Sequence, residues 1–202
     1  MSASPSKMTS VTPLPRHWYL FFGVIEPISV FAGCIYAIFF QEKFYLEQVP
    51  EAFAPPPYTR SIFGTPSVKL DAAVRMVLAQ LGSCYFLIML NSALVFYALR
   101  RFVKDPVALE NILYYLVFVL GAADWSHIGL TLYILPSPTP RLSNRAPNGM
   151  DKLALLLKPS SWNSLLFGNV MVPFILVCFR AAWWTGVGRD SGATLRTKSK
   201  TK

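Results

Sequence analysis

The sequence predicts an all-α fold, an integral membrane four-helix bundle with both termini in the cytosol. Three observations predict it. Of the 202 residues 53% are hydrophobic and only 14% are charged, whereas a soluble domain carries charge on about a quarter of its residues. Four apolar segments, about 18–40, 73–99, 109–135 and 162–184, are each long enough to cross roughly 30 Å of hydrocarbon at about 1.5 Å per residue. Basic residues flank these segments, and aromatic residues reach 14%, as in proteins with interfacial belts.

Residues 1–16, MSASPSKMTSVTPLPR, are polar and rich in Ser and Pro. They hold neither an apolar core nor a cleavage site, so they read as a disordered tail and not as a signal peptide. The transmembrane domain is expected over 17–184. Its first span opens near Trp18 and carries Glu26-Pro27 within it. The connection 50–66, PEAFAPPPYTRSIFGTP, is too rich in proline to continue a helix. The next connection, RRFVKDP, is so short that the second and third spans are expected to form a helical hairpin. Pro106 opens the third span, where proline is tolerated, and Glu110 in its first turn suits the helix dipole. A second proline-rich loop, PSPTPRLSNRAPNG at 136–149, precedes the fourth span, which closes on Trp183 and Trp184. These two, with Trp18 and Trp162, read as interface anchors. Residues 185–202 form a basic cytosolic tail.

Charge sets the orientation. The side shared by both termini and the RRFVKDP connection holds eleven of the nineteen Lys and Arg residues, Arg180 counted among them. That excess favours the cytosol. The final KSKTK resembles the di-lysine retrieval signal of endoplasmic-reticulum membrane proteins, with a generic basic tail as the plainer reading. The expected location is the endoplasmic-reticulum membrane, and oligomeric state is left open.

Several functions are excluded on pattern. A net charge of +9 invites a nucleic-acid partner, but no basic helix or RNA-binding motif is visible, so none is expected. Cys34, Cys84 and Cys178 lie in apolar runs with no disulfide framework and no zinc spacing. There is no Gly-rich phosphate loop, no G-x-S-x-G elbow and no His/Glu zinc motif. No metal and no cofactor are expected. The expected partners are the lipid bilayer and a small apolar substrate.

The chemistry centres on two acids. Of the ten acidic residues only Glu26 and Asp124 lie well inside spans. An intramembrane acid costs a few kcal/mol on insertion scales, so it usually faces the bundle interior and has a partner. His127 lies one helical turn beyond Asp124 on the same face, and Thr131 continues that stripe. Glu26 shares a side with Gly23, Ser29 and Gly33, small residues that permit close approach. By depth along the helices, Asn91 falls near the level of Glu26 and Asn169 near that of Asp124. The expectation is one internal polar pocket around Glu26, Asn91, Asp124, His127 and Asn169, with aromatic residues such as Tyr19 and Trp125 shaping an apolar cavity. Two carboxyl groups in a low-dielectric site divide into an acid and a base, which suits protonating an epoxide or alkene while activating water or a hydroxyl. The plainer readings are a structural kink at Glu26-Pro27, an interhelical hydrogen-bonded pair at Asp124 and His127, and packing roles for Asn91 and Asn169.

HWYLFFGVIEPISVFAGCIYAIFFQEKFYL and GAADWSHIGLTLY resemble segments of small four-span fungal membrane proteins, some encoded in secondary-metabolite gene clusters. That group includes epoxide hydrolases that open polyketide polyepoxides into cyclic ethers, as in aurovertin- and citreoviridin-type pathways. The resemblance spans about 17–184. A more distant one is to the emopamil-binding and sterol isomerase superfamily, which usually has five spans. The first resemblance implies a membrane epoxide hydrolase or cyclase with Glu26, Asp124 and His127 as catalytic residues. Asn91 and Asn169 would then hold oxygen atoms of substrate or water. The second implies a terpene cyclase or double-bond isomerase. A non-enzymatic lipid-binding or assembly protein is the third reading.

Overall fold

The computed structural model describes residues 12–49, 69–136, 149–158, 160 and 162–191. Of the tail expected over 1–16, residues 1–11 lie outside the described residues, as do most of the two proline-rich loops and the KSKTK terminus; Leu14 is instead buried, Pro13 accepts from Trp183 and Arg16 already begins a helix. Among the described residues there is no strand. The elements are α1 (Arg16–Leu20), a π-helical turn (Phe21–Ile25), α2 (Glu26–Phe39), α3 (Gln41–Glu47), α4 (Ala72–Phe102), α5 (Pro106–Ile134), α6 (Gly149–Leu156) and α7 (Ser164–Trp184). Four helical stretches are long and apolar enough to cross a membrane: Arg16–Phe39, Ala72–Phe102, Pro106–Ile134 and Ser164–Trp184. They are the four segments that hydropathy singles out, with ends that differ by a few residues.

Local chemistry sets those ends. Asp71, Asp105 and Asn163 cap α4, α5 and α7, each accepting a backbone N–H of the first turn through its side chain. Pro106 occupies the first turn of α5, where its missing N–H costs nothing. Pro27 sits at the start of α2, directly after the π turn. Its ring cannot donate to, and crowds, the carbonyl four residues back at Gly23, and the wider turn makes room for it. Phe40 departs from helical geometry at φ −120° and ψ 41°, which separates α2 from the short α3.

The closest helix packing is α2 on α4 and α5 on α7. The RRFVKDP connection does join α4 to α5, but the hairpin expected there is not the principal contact. Small residues explain the choice. A Cβ on Gly82 would collide with Cγ1 of Ile38 and lie 3.4 Å from the Cys34 carbonyl, and one on Gly23 would lie 3.0 Å from Cβ of Phe96. Glycine alone lets α4 approach the first span at both points, the usual device where helices associate in lipid.

Two apolar clusters mark the ends of the bundle. One joins Leu14, Trp18, Phe22, Phe96, Leu99, Leu109, Leu113, Val117 and Trp183. It gathers the start of the first span, the α4–α5 connection and the end of α7 at one end. The other joins Ala37, Phe44, Leu70, Leu78 and Leu165 at the opposite end. The helices therefore alternate in direction. Large apolar side chains such as Ile28, Leu87, Val119 and Ile134 point outward, the surface expected of a helix bundle in lipid. Trp18 and Trp183 depart from the anchor role that their positions suggest. Both are buried, and their indole N–H groups donate to the carbonyls of Val187 and Pro13.

Candidate functional site

The polar centre of the bundle is an ion trio from three spans. Glu26 enters from the start of α2, Asp124 from α5 and Arg180 from α7. The guanidinium grips Glu26 with two parallel bonds, Nη1 to Oε2 at 3.0 Å and Nη2 to Oε1 at 2.9 Å. Its Nε donates to Oδ2 of Asp124 at 2.8 Å. Side-chain exposure is 4% for Arg180, 6% for Glu26 and 14% for Asp124. The guanidinium also lies 5.6 Å from the ring centroid of Phe22, within cation–π range. A planar fork matches a carboxylate in a way that a lysine ammonium does not.

By position Arg180 belongs to the basic flank of the fourth span; the structure turns it inward. The charge excess on the side of the two termini survives, because ten basic residues remain on that side without Arg180 against eight on the other. The two intramembrane acids come together as expected, but through a cation that stands between them and that hydropathy alone does not place there. The trio holds one permanent positive charge and two carboxyl groups. It is neutral with one proton retained and singly negative with none.

The other expected site residues do not gather around one pocket. His127 and Trp125 are exposed on α5, and Asn91 is exposed on α4. Asn169 is half-buried on α7, four residues before Pro173, so its carbonyl is the one that Pro173 cannot serve with an N–H. Tyr19 lies at the end of the bundle, its ring 4.5 Å below the Arg100 guanidinium. Only His127 remains beside the trio, one turn along α5 from Asp124.

Two further polar groupings have no signal in the sequence. At the Trp183 end, Arg189 pairs with Glu110, donates to the Trp183 carbonyl at 2.8 Å and lies over the Trp183 ring. At the opposite end, Glu47 accepts hydrogen bonds from Tyr36 Oη at 2.9 Å and from Ser164 Oγ. Asn163 donates to the Glu47 carbonyl at 2.6 Å. Loop and flank acids pair in these places because helix ends bring them beside partners remote in sequence. No group of three or more His, Cys, Asp or Glu suited to a metal occurs among the described residues.

A family model, DUF7704, a domain of unknown function, matches residues 11–140. The chain belongs to the DUF7704 family. No curated protein and no solved structure matches it. The DUF7704 match takes in Glu26, Asp124 and His127 and ends before the fourth span that supplies Arg180.

Proposed function

We propose that the chain is a membrane-embedded enzyme that opens epoxides of an apolar polyketide or terpenoid by proton transfer, without a cofactor. The observation that carries this reading is the unequal grip of Arg180 on its two acids. Both oxygens of Glu26 are held, whereas Asp124 is held by Oδ2 alone. Glu26 then serves as the fixed counter-ion of Arg180, and Asp124 is the group that exchanges a proton. In its protonated form Asp124 delivers that proton to the epoxide oxygen as the carbon–oxygen bond breaks. Water or an internal hydroxyl attacks the opened carbon, and its proton passes to His127. Return of that proton to Asp124 restores the starting state. Glu26 thereby moves from a catalytic to a positioning role.

The side carrying Arg16, Arg100, Arg101 and Lys104 would face the cytosol on charge, with the spans in the endoplasmic-reticulum membrane. The chain would be expressed in yeast, and microsomes given a polyepoxide in water enriched in heavy oxygen. Wild type is expected to form product, and Asp124→Asn to lose at least about a hundredfold in rate, the usual contribution of a proton-transfer group. Equal turnover by the two proteins, at matched levels, would overturn the assignment. Label in the product marks hydrolysis, unlabelled cyclic ether marks internal attack, and deuterium on carbon from heavy water marks the isomerase alternative.

A second reading, a lipid-binding or assembly protein, is favoured by one observation. Asn91, Trp125 and His127 all face outward, where a partner helix can meet them. On that reading the trio secures helix packing alone.

A further inference from the structure

A second site lies at the far end of the first span from the trio. Tyr36 is ten residues along α2 from Glu26, about 15 Å at the helical rise. There a groove of about 510 Å³ runs between α2 and the start of α7, lined by Ala32, Gly33, Ile35, Tyr36, Phe40 and Leu165, with Ser164 at its polar edge. Its volume falls in the range of small-molecule sites, which pair apolar walls with a few placed polar groups. Here the polar groups are two hydroxyls. Each gives its proton to Glu47 Oε2, so the oxygens of Tyr36 and Ser164 retain only lone pairs to offer. A head group that meets them must be a donor. A carboxylate head group has no proton to give them. Lys43 lies 3.9 Å from Oε1 of Glu47 and 5.8 Å from the Tyr36 ring centroid, which offsets the carboxylate charge and removes the need for a cation.

We propose that this groove binds a long-chain lipid alcohol, with its hydroxyl on Tyr36 and Ser164 and its chain along Ala32, Gly33 and Leu165. It is separate from the epoxide-opening reading and stands or falls without it.

The test uses the full chain in nanodiscs and two photoreactive probes, a hexadecanol and a hexadecanoic acid that carry the same diazirine. The alcohol is expected to label peptides from residues 32–40 and 162–170 at least about tenfold more than the acid, the effect of one lost hydrogen bond. Ala32→Phe fills the groove from an exposed position and is expected to abolish that labelling. Tyr36→Phe keeps the ring and is expected to reduce labelling severalfold, with the melting temperature recorded alongside. Equal labelling by both probes, or labelling by the alcohol that survives Ala32→Phe in a folded protein, would overturn the proposal.

Discussion

Arg180 ties three spans together through one side chain, by its bonds to Glu26 and Asp124. Removing it leaves two acids facing each other in a desolvated site. Arg180→Ala is expected to cost about 3–5 kcal/mol, the usual penalty for breaking a buried ion pair from one side, measured as a loss of thermal stability in detergent. Arg180→Lys keeps the charge but loses the fork, and is expected to fall between. Replacing all three residues with apolar ones of similar size, Glu26→Leu, Asp124→Leu and Arg180→Met together, is expected to restore most of the stability, because apolar substitutes for a whole buried network are often neutral or better. A restored melting temperature with no turnover would separate the catalytic reading from the packing one. Restored function would favour packing. Glu26 and Asp124 are legible in the sequence because acids are rare inside apolar runs. Arg180 is not, because a basic residue four positions from the end of a span at Trp184 looks like a border residue. The rule that finds it is electrostatic: two acids in one bundle demand a cation, and Arg180 is the only basic residue of the fourth span.

At the scale of helices, two glycines decide which ones pair. Gly82→Ala drives a Cβ into Cγ1 of Ile38 and against the Cys34 carbonyl, so the helices must part. The expected cost is about 1–3 kcal/mol, as for overpacked cores. Ile38→Ala in the same chain is expected to recover part of it, as read in a double-mutant cycle of melting temperatures. Gly129, where an added Cβ would meet nothing within 4 Å, is the control: Gly129→Ala is expected to be neutral or slightly stabilising by helix propensity. The spans themselves are legible because hydropathy and capping residues are local signals. Their pairing is not. A short connection between α4 and α5 argues for a hairpin, yet close packing follows the positions of small residues and the faces they lie on, which composition does not reveal.

Across the whole molecule, the two ends of the described chain are clasped together. Trp18 donates to the Val187 carbonyl and Trp183 to the Pro13 carbonyl, at 2.9 Å and 3.2 Å. Gly186 and Gly188 adopt φ of +84° and +66°, left-handed values that fold the segment after α7 back over the first helix. Trp183→Phe keeps most of the buried ring and loses the donor, leaving the Pro13 carbonyl unserved. The expected cost is about 1–3 kcal/mol, with faster proteolysis at residues 12–16 as the second readout. Aromatic residues at span ends are visible in the sequence as a belt facing lipid. That Trp18 and Trp183 instead turn inward follows from contacts between residues 169 and 170 positions apart, a separation at which no sequence pattern speaks.

The trio also imposes an order on biogenesis. Glu26 precedes Arg180 by 154 positions and Asp124 precedes it by 56. Both acids leave the ribosome before the residue that neutralises them has been translated. A nascent chain that threads its spans into a bilayer in order would therefore hold two carboxyl groups without their cation until the last span arrives. A chain cut before Arg180 would keep both acids without their cation, and is expected to be degraded faster than the full chain when the two are expressed side by side.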